Sequence, residues 1–179
     1  MTTFTTTHQR PRTVGTRRAS NRRHTGLVQW APTQRRLVLV DIENIVGGSH
    51  STEADVERAL QRLRRAIGIR TDDVWITACG PTLLTTAMGL FHSRVLLGRG
   101  LDGADRQLVE YLRPDQVVHR YAAVALASAD GRAFAEPVAR LAAAGVPTDI
   151  YVGSGQPGHA LARAARSITA IHSLDHVAA

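Results

Sequence analysis

Short apolar runs alternate with amphipathic stretches along the chain from residue 37 onward. Residues 37–40 and 122–127 carry no polar side chain, which is typical of parallel strands that are buried on both faces. We predict strands over these runs, the first extending to residue 42. Four further strands are predicted over 73–79, Arg94–Leu97, Thr148–Val152 and 168–171.

The stretches between the predicted strands have helical periodicity. The clearest one begins near Thr52, where Thr52 and Asp55 have capping-box spacing, and it ends at Gly68. Further helices are predicted to begin near Pro81, to run over 103–112 and 133–144, and to include Leu161, Ala164 and Ala165. This alternation predicts a Rossmann-like three-layer α/β/α sandwich with a mostly parallel central sheet, in one domain over 35–175 without repeats.

Positive charge is concentrated at the N-terminus. Residues 1–40 contain eight arginines and no acid, whereas the rest of the chain contains fourteen arginines and fifteen acids. We expect residues 1–34 to be a disordered Arg-rich tail, because they have few large apolar side chains to bury. Two interpretations stay open: the tail attracts phosphate-bearing polymers, or it is a solubilising extension or a start codon assigned too early.

The composition excludes several kinds of chemistry. The chain contains no lysine, which rules out a P-loop lysine and a Schiff-base lysine, so we expect no nucleotide cofactor. Its single cysteine, Cys79, cannot form an intramolecular disulfide, which fits a reducing compartment. No segment resembles a membrane span or a signal peptide. We therefore expect a cytoplasmic protein with no membrane partner.

Carboxylates follow the predicted strands or begin the predicted helices in three places: Asp41-Ile42-Glu43-Asn44, Asp102-Gly103-Ala104-Asp105 and Ser128-Ala129-Asp130-Gly131. Ligands of open α/β sheets bind outside the carboxyl ends of the strands, where these side chains would meet. Clustered carboxylates raise one another's pKa unless a cation is present. Oxygen ligands of this kind suit Mg²⁺ or Mn²⁺.

These three segments, in this order, resemble an NYN domain, a branch of the PIN-like nucleases. The resemblance extends from about residue 36 to about residue 172. It implies a PIN-like fold, a pocket for Mg²⁺ or Mn²⁺, and cleavage of RNA. By the same resemblance Asp41, Asp105 and Asp130 are the catalytic and metal-binding acids, and Asn44 is the polar partner of the first one.

One position departs from the NYN pattern. Many NYN domains carry a further Asp shortly after the position of Asp130, where this chain has Arg132 and Ala133. Asp102 is a candidate replacement ligand for the metal. Arg132 is instead a candidate substrate-binding residue that would grip a phosphate through two parallel hydrogen bonds.

Several of these residues also have structural interpretations. Asp102 and Asp105 have the spacing of N-cap and N3 residues, and we interpret Asp102 as a cap but Asp105 as functional. Glu43 is expected to point away from the other acids or toward solvent, unless a turn at the end of the strand brings it in. Asn44 and Ser128 are expected either to orient a carboxylate or to touch a substrate phosphate, since neither adds negative charge.

The sequence thus predicts a metal-dependent ribonuclease, with two alternatives. The first is an RNA-binding or assembly module that has the same fold and no turnover, which is suggested by Arg132 at a usually acidic position. The second is a haloacid-dehalogenase-like phosphatase. Such enzymes need Asp-x-Asp after the first strand, and here Glu43 stands in place of the second Asp.

Overall fold

The computed structural model describes residues 34–91 and 93–172; the tail predicted over residues 1–34 lies outside them except for its last residue. The described residues form six strands: β1 (Arg36–Asp41), β2 (Val74–Cys79), β3 (Arg94–Leu97), β4 (Ala123–Ala127), β5 (Thr148–Val152) and β6 (Ser167–Ala170). They also form seven α-helices: α1 (Ile42–Val46), α2 (Glu53–Ile67), α3 (Leu84–Leu90), α4 (Gly103–Tyr111), α5 (Pro114–Val117), α6 (Gly131–Ala143) and α7 (His159–Ala164). None of these helices is both long enough and apolar enough to cross a lipid bilayer.

The six strands form one sheet in the order β3-β2-β1-β4-β5-β6, and every pairing is parallel. Parallel neighbours require crossover connections, which the helices supply. The strand order reverses between β1 and β4, because β2 and β3 are added on one side of β1 and the later strands on the other. A crevice for ligands forms outside the carboxyl ends of strands at such a point.

Helices cover both faces of the sheet. In β1, Leu37 and Leu39 pack with residues of α4, α6 and α7, whereas Val38 and Val40 pack with residues of α1, α2 and α3. Because successive side chains of a strand face opposite sides, a strand covered on both faces must be apolar at every position. The predicted three-layer α/β fold is confirmed, and the sheet of the described residues is entirely parallel.

The longest helix, α2, follows the sequence pattern closely. Thr52 accepts a hydrogen bond from the backbone of Asp55, and the Asp55 side chain accepts one from the backbone of Thr52. The helix ends at Gly68, whose φ of 60° lies in the left-handed region. Both predicted ends of this helix are confirmed, as are both ends of β3 and β5, and the ends of most other predicted elements shift by one or two residues.

The prediction is wrong immediately after β1. The strand ends at Asp41 rather than at residue 42, and Ile42 begins the short helix α1. Asp41 caps this helix, and Gly47 ends it with a φ of 86°. A helix of five residues shows too little periodicity to be recognised in a sequence, and α5 escaped prediction for the same reason.

Close backbone packing fixes the position of α1. A Cβ added to Gly153, the residue after β5, would lie 2.1 Å from the carbonyl oxygen of Ile45. Only glycine lets the two segments come this close. The first turn after β1 is therefore held against the end of β5, on the carboxyl side of the sheet.

Candidate acidic active site

Asp41 lies at the carboxyl end of β1, on the side of the sheet that α4 and α6 cover. It continues the alternation of Leu37 and Leu39, and only 5% of its surface is exposed. The register pairs Val40 with Ala127, so that Ser128 follows β4 beside Asp41. The prediction that the ends of these two strands meet is confirmed.

A network of hydrogen bonds ties the two strand ends together. The Ser128 hydroxyl donates to Oδ2 of Asp41 at 3.3 Å and accepts from the backbone N–H of Asp130 at 3.2 Å. The Asn44 backbone donates to Oδ1 of Asp41 at 3.3 Å, and the Asn44 side chain accepts from the Ala129 N–H at 2.8 Å. Ser128 is fully buried, so its hydroxyl orients the carboxylate of Asp41 and does not reach a substrate phosphate. Asn44 orients Asp41 in the same way and also lines the pocket beside it.

Asp105, in the first turn of α4, lies close enough to Asp41 for the two carboxyl groups to shift each other's pKa. Burial, and next the charge of Asp105, raise the pKa of Asp41 to about 8. Burial also raises the pKa of Asp105, and the neighbouring charges of Asp130, Asp102 and Glu43 act in the same direction. Without a cation at neutral pH, Asp41 therefore keeps its proton.

Asp130 and Asp102 differ in their relation to the helices that follow them. Asp130 caps α6, because its Oδ1 accepts from the backbone of Arg132 at 2.7 Å and of Ala133 at 3.3 Å. Asp102 occupies the N-cap position of α4 but makes no capping hydrogen bond, so its interpretation as a cap is wrong. Its φ of 52° is unfavourable for a residue with a Cβ, by on the order of 1 kcal/mol.

Glu43 belongs to the site, contrary to the expectation that it points away. The helical turn of α1 brings it to the end of β2, where a Cβ on Gly80 would lie 2.7 Å from Oε1 of Glu43. If residues 41–43 had continued the strand, the alternation of side chains along it would have set the direction of Glu43. The turn into α1 sets that direction instead. A fifth carboxylate therefore lines the pocket.

Two cavities meet at these carboxylates. The first, called here the acidic pocket, has a volume of about 380 Å³ and is lined by five acids: Asp41, Glu43, Asp102, Asp105 and Asp130. The second, the α4–α6 cavity, has a volume of about 420 Å³ and is lined by Asp102, Asp105, Arg106, Val109, Asp130 and Arg132, among others. Three of the acids line both cavities, so they form the wall between them.

Arg106 is a site residue that the sequence reasoning missed. It directly follows Asp105 and lies one helical turn before Val109, so the three residues share the edge of α4 that faces the α4–α6 cavity. Helical spacing would have been the signal for it. Arg132, which the sequence singled out, lines the same cavity.

The donor set of the acidic pocket suits a hard divalent cation. Among residues 34–91 and 93–172, none of the five acids takes part in an ion pair. In the same part of the chain, no three His, Cys, Asp or Glu side chains lie close enough together to hold a metal ion as they are placed. Mg²⁺ needs only one or two protein carboxylates, because it keeps several waters and binds substrate phosphate. Asp41 and Asp105, which line the same pocket, fit as such a pair once Asp41 loses its proton.

Comparisons with known proteins identify no function for the chain. No protein-family model matches it, and no curated protein matches it. A crystal structure of a protein of unknown function from Vibrio parahaemolyticus is similar, with 16% identity and a TM-score of 0.48. The match covers 80% of this chain and 96% of that one. The description of the site therefore depends on the chain's own sheet and side chains.

Proposed function

We propose that this protein is a divalent-metal-dependent ribonuclease that hydrolyses RNA phosphodiester bonds at the acidic pocket. The observation that carries the proposal is that the buried Asp41 shares one pocket with Glu43, Asp102, Asp105 and Asp130, and that none of them forms an ion pair with a cationic side chain among the described residues. A cluster of this kind is unfavourable for folding but favourable for binding a cation. The resemblance of the three acidic motifs to an NYN domain favours RNA as the substrate.

Each residue of the site has a role in this proposal. Asp41 and Asp105 would hold Mg²⁺ or Mn²⁺, with Asp130 and Asp102 on the wall of the pocket. The bound ion would neutralise charge on the phosphodiester and lower the pKa of water. Ser128 fixes the orientation of Asp41 before substrate binds, which reduces the reorganisation that the reaction requires.

Cleavage of labelled RNA in Mn²⁺, Mg²⁺ or EDTA tests the proposal. We expect metal-dependent cleavage by the wild type. In Asp41→Asn the cleavage rate should fall by more than the roughly 10- to 100-fold that follows from removing an outer partner of a metal ligand. Asp72→Asn is the matched control, because it makes the same chemical change at an exposed residue before β2. Equal cleavage by the wild type and Asp41→Asn would exclude this site.

The non-enzymatic alternative has one observation in its favour. The described residues lack a ready group of three metal ligands, and Arg132 lines the cavity next to the acids. An RNA-binding or assembly module of the same fold would bind RNA through this surface without cleaving it. A folded wild type that binds RNA but leaves it intact in Mn²⁺ would be the evidence for that function.

The phosphatase alternative fits the geometry less well. A haloacid-dehalogenase-like enzyme needs an ionised, accessible nucleophile after its first strand. Asp41 is 5% exposed, and burial raises its pKa to about 8. Hydrolysis of a generic phosphate monoester would nevertheless favour that activity.

The expected compartment is the cytoplasm, since the buried Cys79 has no described disulfide partner.

A further inference from the structure

The two cavities that meet at the acids differ in charge. The acidic pocket is lined by five carboxylates and by no arginine among the described residues. The α4–α6 cavity is lined by four carboxylates, Asp102, Asp105, Glu110 and Asp130, but also by Arg106 and Arg132. A phosphate in the acidic pocket meets only side chains that repel it, whereas in the α4–α6 cavity two guanidinium groups can contact it directly. A polynucleotide that crosses the wall between the cavities would therefore be held unequally on its two sides.

Arg132 is available for a ligand. Its backbone N–H is bound by Asp130, which fixes the residue at the start of α6. Its guanidinium forms no hydrogen bond or ion pair with any other described residue, although four acids line the same cavity. An arginine that served only to neutralise the acids would be paired with one of them. Its five N–H donors are free to bind phosphate oxygens.

Arg106 adds a second cation on the facing helix. Its guanidinium donates one hydrogen bond, to the carbonyl oxygen of Arg99 at 3.1 Å, and this bond uses one of five donors. The side chain is thereby anchored by the loop before α4 and still lines the cavity. Two arginines on two different helices can hold one phosphate between them.

The cavity also has the size and the apolar surface to hold more than a phosphate. Its volume of about 420 Å³ lies within the range of roughly 300–1,000 Å³ that is typical of small-molecule sites. Val109 and Ala133 give it an apolar wall. A ribose or a base can pack there while its phosphate faces the arginines.

We propose that the α4–α6 cavity is a one-sided nucleotide subsite, in which Arg106 and Arg132 bind the phosphate adjacent to the scissile one. This inference rests on the proposed ribonuclease function. The phosphate on the opposite side of the scissile bond lies toward the acidic pocket and gains no contact with an arginine there. Nucleotides on only one side of the cleavage point therefore contribute to binding.

Binding in EDTA tests the two arginines without relying on cleavage. The probe is a short fluorescent single-stranded RNA, and the readout is anisotropy at several salt concentrations. Because both arginines would contact the same phosphate, the double variant Arg106→Gln/Arg132→Gln should lower the slope of log K against log salt by about 0.7, the value for one phosphate contact on a single strand, and each single variant should lower it by part of that amount. Arg65→Gln, at an exposed residue of α2 on the other face of the sheet, is the control and should leave the slope unchanged.

Uncharged phosphate linkages then test whether the nucleotides on only one side of the cleavage point contribute to binding. One methylphosphonate is placed either 5′ or 3′ of the only RNA linkage in a DNA oligonucleotide, and binding and cleavage are measured. We expect one of the two positions to weaken wild-type binding, and Arg132→Gln to be insensitive to the same substitution. Equal effects of both positions, or equal sensitivity of the wild type and Arg132→Gln, would overturn the subsite.

The two proposals fail in different ways. Cleavage that depends on Asp41 but is indifferent to both arginines would overturn the subsite and keep the ribonuclease. Arginine-dependent, one-sided binding without cleavage in Mn²⁺ would overturn the ribonuclease and support the cavity as a nucleotide site.

Discussion

Replacing Asp41 by asparagine should separate the stability of this protein from its function. The two side chains have nearly the same shape, but an amide cannot ionise. The amide of the variant is uncharged at every pH, as the Asp41 carboxyl is below its pKa of about 8. The variant therefore imitates the protonated site at every pH.

The size of the effect follows from the pKa of Asp41, which burial and the charge of Asp105 raise from 3.8 to about 8. Between these two values the native state holds a proton that the unfolded chain has lost, so the free energy of unfolding of the wild type falls as the pH rises, and it levels off above pH 8. Each pKa unit corresponds to about 1.4 kcal/mol, which gives a total on the order of 5 kcal/mol. The stability of Asp41→Asn should not fall with pH for this reason. It should equal the wild type near pH 4 and exceed it in stability by several kcal/mol above pH 8.

Urea denaturation in EDTA across this pH range measures the difference. The quantity of interest is the free energy of unfolding of the variant minus that of the wild type, because the titration of other groups largely cancels. Asp72→Asn, at an exposed position, should give a difference that does not change with pH. If the difference in the free energy of unfolding for Asp41→Asn also did not change with pH, the raised pKa would be refuted. The argument that this carboxyl binds a cation would then fail as well.

Three further predictions follow from the same geometry. Mn²⁺ must displace the proton of Asp41, so the binding of Mn²⁺ at pH 7 should release protons. The affinity for Mn²⁺ should also rise with pH up to about 8, and an affinity that does not depend on pH would contradict this prediction. Ser128→Ala should shift the proton release to higher pH, since the hydroxyl lowers the pKa of Asp41, and it should destabilise the fold by roughly 1–3 kcal/mol because buried groups lose a partner. Gly98→Ala would place a Cβ 2.1 Å from the nitrogen of Ala104, so thermal unfolding should show a large loss of stability. In Gly89→Ala, the Cβ added to this residue of α3 has no atom within 4 Å, so the variant should instead gain roughly 0.5–1 kcal/mol of stability.

Much of the candidate site could be predicted because each carboxylate follows a local pattern. Asp41 ends an apolar strand, and Asp105 begins an amphipathic helix. Since parallel strands place their carboxyl ends at one edge of a sheet, the meeting of Asp41 with Ser128 and Asp130 could be expected. Glu43 could not be placed in this way, because its direction depends on whether the chain continues as a strand or turns into α1.

By itself, the sequence determined the kind and the approximate limits of nearly every strand and helix, because periodicity and caps act over a few residues. Only the tertiary structure decided the complete strand order, the burial that raises the pKa of Asp41, and the position of both arginines in one cavity beside the acids. The physical reason is distance: electrostatic energies and burial depend on groups far apart in the chain, such as Asp41 and Ser128, which come within 3.3 Å of each other only once the sheet has assembled.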